Sequence, residues 1–147
     1  LIPAIVSWPN KVAKGEVCHV LMSQIDWLAS LGDLIGAKLP QGSAPDSESH
    51  LANLLGNKNN ERRWIIEQNN TRVLSVRTPK WKYIEPNDGG KMITWGPKIE
   101  TGNNPLPQLY NMIESKTETN NVANQYPEVV YELQNVLRRE RAKTIKE

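Results

Sequence analysis

Between Trp64 and Glu85 the hydrophobic pattern takes a period of two, and this constrains the fold more than any other stretch. Trp64–Gln68, Thr71–Arg77 and Trp81–Glu85 are short β candidates. Asn69-Asn70 separates the first two, a hairpin signal made of two amide residues, and Thr78-Pro79-Lys80 separates the next two. Alternation places Val73, Ser75 and Arg77 on one face and Leu74 and Val76 on the other. Turns this tight make the sheet antiparallel. Asn87-Asp88-Gly89-Gly90 is a further turn, Met92–Trp95 another strand candidate, and Leu109–Ile113 the last; Gly96 to Gln108 between them is irregular and proline-rich. From Pro127 to Lys143 the period returns to that of a helix. Tyr126, Val129, Val130, Leu133, Val136 and Leu137 form one apolar stripe, and Pro127 sits in the first turn, where proline is tolerated. The expected class is α+β: a small antiparallel sheet with an amphipathic C-terminal helix laid on one face.

The N-terminal third reads differently. Ile2–Val6 is apolar on both faces and closes at Trp8-Pro9, the pattern of an interior strand of a parallel sheet. No other part of the chain alternates strand and helix as a parallel sheet requires, so this strand is expected to find its partners in another polypeptide segment. Ser23 to Ile35 is a helix with Ile25, Leu28, Leu31 and Ile35 as its apolar stripe. Ser23 and Asp26 form a weak capping box, Gly36 supplies the C′ residue and Pro40 prevents continuation. Residues 37–50 form a loop. A short helix runs from about Ser49 to Leu55 and ends at Gly56, and Asn57 to Glu61 is a polar turn. The expected division is 1–56 and 57–147.

Bulk properties narrow the function classes. A chain of 147 residues with 38% apolar and 23% charged residues is long enough to build a core. No stretch approaches the ~20 apolar residues that cross a bilayer, and no signal-peptide pattern precedes Ile2–Val6. Residues 138–147 hold five of the 18 basic and two of the 16 acidic residues, so the rest carries 13 against 14. A nucleic-acid partner would rest on that tail alone, where no aromatic residue is interleaved. A helix end whose cations suit the C-terminal dipole explains it better.

Few residues carry chemistry by themselves. Cys18 is the only cysteine; beside His19 it is read as a buried, inert residue rather than half of a thiolate–imidazole dyad. Asp46, Glu48 and His50 alternate in the loop before the short helix and could converge on a ligand, although a polar helix-entry loop accounts for them as well. Trp27, Trp64 and Trp81 fall in core patterns; Trp95 is the tryptophan a carbohydrate-binding module would use. Asn69-Asn70-Thr71 matches a glycosylation acceptor.

The order of the pieces says more than any one of them. Ile2-Pro3-Ala4-Ile5-Val6-Ser7-Trp8-Pro9 with Lys11, then Val20 to Gly36 with Ser23, Asp26 and Leu28, then Pro40, Pro45-Asp46-Ser47 and Leu51 to Gly56 run in sequence. Val76-Arg77 with Trp81-Lys82-Tyr83-Ile84 follows, then Leu109-Tyr110-Asn111-Met112, Glu118, Asn121-Val122-Ala123, Pro127-Glu128-Val129-Val130 and Leu133. In this order and spacing the chain resembles the C-terminal part of a type I sulfatase, of the arylsulfatase kind in the alkaline-phosphatase-like superfamily.

The resemblance implies that 1–56 is the tail of a sulfatase catalytic α/β domain, contributing its last strand and helix, and that 57–147 is the C-terminal subdomain. Members hydrolyse sulfate esters, often on sugars, with a formylglycine made from the first residue of a Cys/Ser-x-Pro-x-Arg motif and with bound calcium. Both lie before the strand with which this chain opens. Cys18 lacks the motif's proline, and Ser43-Ala44-Pro45-Asp46-Ser47 has serine where arginine should stand. No catalytic or metal residue is therefore carried over, no cofactor is expected in the chain itself, and the chain alone is expected to be inactive. Its expected roles are stability and the walls of the substrate cleft, with Asp46, Ser47 and His50 as the candidate substrate contacts because loops on a scaffold carry function. The implied partners are the N-terminal sulfatase domain or another copy of the chain, and a sulfated carbohydrate; nucleic acid and a membrane span are not expected. The implied location is periplasmic or extracellular. The alternative is a free-standing carbohydrate-binding module.

Overall fold

The computed structural model describes residues 2–57 and 61–144. Most of the polar turn expected at Asn57 to Glu61, and the last residues of the basic tail, lie outside them. The chain divides into two compact units, Leu1–Arg63 and Trp64–Glu147.

In the second unit four strands form an antiparallel sheet in sequence order: β1 (Ile65–Gln68), β2 (Leu74–Arg77), β3 (Trp81–Ile84) and β4 (Gln108–Asn111). The register puts Ile66 opposite Val76, Val76 opposite Tyr83 and Tyr83 opposite Leu109. One apolar row therefore crosses all four strands. On it lies α3 (Pro127–Thr144), whose Leu133, Val136 and Leu137 are buried with Val76, Tyr83, Leu109, Val122 and Ala123. Leu74, Trp64, Trp81, Val129 and Val130 close the edges of this core. The other face of the sheet is the more polar one, although Ile65 and Ile84 also lie on it. Lys82 stands there opposite Arg77 and Tyr110, and Glu67 opposite Ser75.

Two expectations in this unit are corrected. The β1–β2 connection is not a two-residue turn, because Gln68 pairs with Leu74 and five residues lie between them. The Asn69 carboxamide oxygen accepts from the Thr71 and Val73 N–H groups at 2.9 Å each, and the left-handed position falls on Arg72, at φ 67°. An Asn side chain that mimics the backbone of a turn makes the longer loop stable. Met92–Trp95 is not a strand; it takes part in an arm, described below, with one isolated bridge between Met92 and Glu100.

The first unit contains α1 (Asp26–Leu34) and the single turn α2 (Leu51–Leu54), which pack together. Gly36 takes φ 67° beyond the end of α1, and the Ala37 N–H reaches back to the Gly32 carbonyl at 2.9 Å. That left-handed stop is the one the sequence leads us to expect. Burial on α1 is the reverse of expectation. Asp26, Ser30 and Gly32 are buried, while Ile25, Leu28, Leu31 and Ile35 are exposed. Ile2–Val6 forms no strand, and Ile5 is 93% exposed. A strand needs a ladder of partners, and this segment has none among the described residues. Cys18 is exposed, not buried, because residues 16–23 belong to no helix or strand that could cover it.

Candidate functional site

The loop that carries Asp46, Ser47 and His50 is tied to α1 by a polar knot. Asp26, with no exposed surface, is its centre. Its Oδ2 accepts from the Ser23 N–H at 2.8 Å, and its Oδ1 accepts from the Glu48 N–H at 3.0 Å and from the Arg62 guanidinium. Arg62 also donates to the Asp46 carbonyl at 2.7 Å. The loop backbone is thus bonded at two residues to one buried ion pair. A buried carboxylate is tolerable only when its charge is paired and its lone pairs are occupied, and both conditions hold here.

Ser47 and His50 fasten the same loop from either side. The Ser47 hydroxyl donates to the Ile25 carbonyl at 2.7 Å and accepts from the Ala29 N–H at 3.1 Å. The His50 N–H donates to the Ser30 hydroxyl at 2.9 Å, which itself donates to the Asp26 carbonyl at 2.6 Å. The His50 ring is buried. Its Nδ1 lies 3.1 Å from the Asn53 amide nitrogen, and its Nε2 lies 3.8 Å from Asp26 Oδ2. Of the three candidate contacts, Asp46 has the exposed side chain, while Ser47 and His50 bond to protein atoms. The residues that sequence reasoning missed are Asp26 in its central role and Arg62. Asp26 was visible only as half of a capping box, and Arg62 is 36 residues away along the chain.

These residues do not fit the calcium that the resemblance implies for the family. The Asp26 carboxylate is taken up by Arg62 and by backbone N–H groups, and among the described residues no cluster of His, Cys, Asp and Glu could hold a metal ion.

A second charged group lies on the polar face of the sheet. Lys82 Nζ is 3.3 Å from Glu67 and 3.0 Å from Glu118. Burial alone pulls the Lys82 ammonium down. The hydrogen bond and charge of Glu118, with the charge of Glu67, outweigh it, so the net shift is upward. Arg77 on the same face is lowered, burial being stronger than the attraction of Glu67 and Glu118. The glycosylation pattern is absorbed as structure: the Asn69 carboxamide nitrogen donates to the Thr101 carbonyl at 3.1 Å and to Asn103 at 3.2 Å. Among the described residues no helix is long and apolar enough to cross a membrane.

An α+β unit of this kind, entered through a helix and a pinned loop, has close relatives. The chain is 46% identical over 136 residues to an N-acetylgalactosamine-6-O-sulfatase of Bacteroides thetaiotaomicron, covering 92% of this chain and 26% of the relative. It is 30% identical over 147 residues to arylsulfatase K of Canis lupus familiaris, covering 93% and 25%, and 28% identical over 142 residues to that of Homo sapiens, covering 90% and 24%. A solved structure from work on the metabolism of multiple glycosaminoglycans by Bacteroides thetaiotaomicron superposes with a TM-score of 0.82 at 44% identity, covering 93% of this chain and 28% of that one. No protein-family model matches. The sheet and its helix define a sulfatase C-terminal subdomain. In sequence and in fold the chain is similar to the C-terminal portion of these sulfatases. It spans about a quarter of the length of the curated relatives it matches.

Proposed function

We propose that the chain is the C-terminal part of a sulfuric ester hydrolase acting on sulfated glycans, where it supplies stability and walls of the substrate cleft while an N-terminal part supplies the bond-breaking residues. The identity of 46% over 92% of the chain to an N-acetylgalactosamine-6-O-sulfatase carries this reading. Residues 1–56 would end the catalytic α/β domain and residues 57–147 form the subdomain. Calcium and formylglycine belong to the N-terminal part. That part is the expected partner, and the exposed apolar surface of Ile2, Ile5, Leu28 and Leu31 supports the assignment, since surface of this kind marks an interaction site. The whole enzyme would be exported, to the periplasm or beyond. In the loop, Asp46 would touch the sulfated sugar, with Ser47 and His50 as positioning residues that hold it in place.

The test compares the protein containing this chain with the 147 residues alone. The reading frame upstream of Leu1 should encode a Cys/Ser-x-Pro-x-Arg motif. The longer protein should release sulfate from 6-sulfated N-acetylgalactosamine, and the 147 residues alone should not. Turnover by the purified short chain, after removal of contaminating sulfatases, would sink the proposal, as would an upstream frame without the motif.

A further inference from the structure

Between β3 and β4 the chain leaves the sheet as an arm. The Ile93 N–H donates to the Ile99 carbonyl at 2.9 Å, and the Thr101 N–H to the Lys91 carbonyl at 3.0 Å. The tip is the short loop Thr94-Trp95-Gly96-Pro97-Lys98. Its base is fixed. The Gly90 carbonyl accepts from the Thr101 hydroxyl at 2.6 Å and from the Asn103 amide at 3.1 Å. Asn103 is buried and accepts from Asn69 at 3.2 Å and Thr71 at 3.1 Å, and Gln108 donates to the Gly102 carbonyl at 2.8 Å. Asn103 approaches Gly89 so closely that any side chain there would collide with it.

On this braced arm Trp95 is 76% exposed. A single exposed apolar residue is ordinary, but this one is a tryptophan carried at the tip of an anchored arm, where its indole is open to solvent and held in place from below. Lys91 and Lys98 are exposed, and among the described residues no carboxylate pairs with either. An aromatic face suits the apolar face of a pyranose, and an unpaired ammonium suits a sulfate. A brace made before binding spares the entropy of ordering the arm.

We propose that the arm is a sulfated-saccharide contact, in which the Trp95 indole packs on a pyranose ring and the Lys98 ammonium pairs with its sulfate. The sulfated character of the ligand rests on the function proposed above; the stacking surface does not.

The experiment uses the full-length protein that contains this chain, with a tetrasaccharide bearing 6-sulfated N-acetylgalactosamine and its desulfated counterpart as probes in titration calorimetry. Trp95→Ala should weaken binding of the sulfated probe about ten-fold, the scale of one lost contact, and Trp95→Phe should restore most of it. Lys98→Met should remove the preference for the sulfated probe, with the thermal midpoint unchanged. Unaltered affinities in Trp95→Ala and Lys98→Met overturn the proposal. So does a Trp95 indole shielded from acrylamide in the ligand-free protein, which would mean that the arm is covered by the protein's own N-terminal part. Where Trp95→Ala fails to fold, Trp95→Phe and Lys98→Met decide. Wild-type sulfate release is measured separately. Binding that depends on Trp95 without turnover leaves this inference standing and removes the sulfatase reading; turnover without that dependence does the reverse.

Discussion

Asp26 shows how one side chain can hold a loop that has no regular structure of its own. It joins the start of α1, the Glu48 backbone and Arg62 in one buried group. Replacing a buried pair with apolar groups can be nearly neutral, but removing one partner strands the other charge. Asp26→Ala should therefore cost about 3–5 kcal/mol of local stability. The check is amide exchange at residues 46–50, which should accelerate toward the free-chain rate. Protection equal to wild type would show that the loop does not depend on Asp26. Ser47→Ala removes two hydrogen bonds of an uncharged hydroxyl, so its effect should be smaller, about 1–3 kcal/mol. At this scale the sequence was a partial guide. The loop residues Asp46, Ser47 and His50 could be singled out, but not the bonds they make, because Arg62 and Asp26 come together only through folding.

Among elements, the β-sheet was the most legible. Alternation fixed which residues of β2 face α3, and Val76 and Leu74 do so while Ser75 and Arg77 face the charged side. Turn length was not legible, because the Asn69 side chain, not a pair of turn residues, closes the β1–β2 connection. The sheet and α3 share one core, so Leu133→Ala should destabilise the second unit by about 2–5 kcal/mol in urea unfolding. A loss well below 1 kcal/mol would mean that the surroundings collapse into the space. The sheet also sets a pH dependence. Burial raises the Tyr83 and Tyr110 phenols above their ordinary 10.0, and Lys82 lies above its ordinary 10.5 for the reasons given above. Each group holds its proton more tightly when folded than when unfolded. Their contribution is complete below about pH 10 and is lost as pH rises through the folded-state values. Unfolding midpoints of the second unit should thus fall above pH 10. Lys82→Met should flatten that fall, and an identical slope in the variant would remove Lys82 from the account.

The two units differ in what they bury, and this governs the whole chain. Val76, Tyr83, Leu109, Leu133, Val136 and Leu137 make an apolar core in the second. In the first, the buried residues described are Asp26, Ser30, Gly32, His50, Asn53 and Arg62, while the apolar stripe of α1 faces solvent. The helix itself was legible from its period, but periodicity cannot tell which side of it is covered. Ile2–Val6 poses the same problem, an apolar run of interior type with no ladder among the described residues. Hydrophobic burial is the dominant favourable term in folding, and a polar knot contributes little net stability once its desolvation is counted. The 147 residues alone should therefore open in two stages. In native-state hydrogen exchange the amides of α1 should exchange with a low opening free energy, while those of β2 and β3 exchange only with global unfolding of the second unit. If the N-terminal part proposed above is supplied, it should cover Leu28 and Leu31 and bring α1 up to the protection of the sheet. Equal protection of α1 and β2 in the short chain would show that the first unit is stable without a cover, and the case for a docked N-terminal part would lose its physical support.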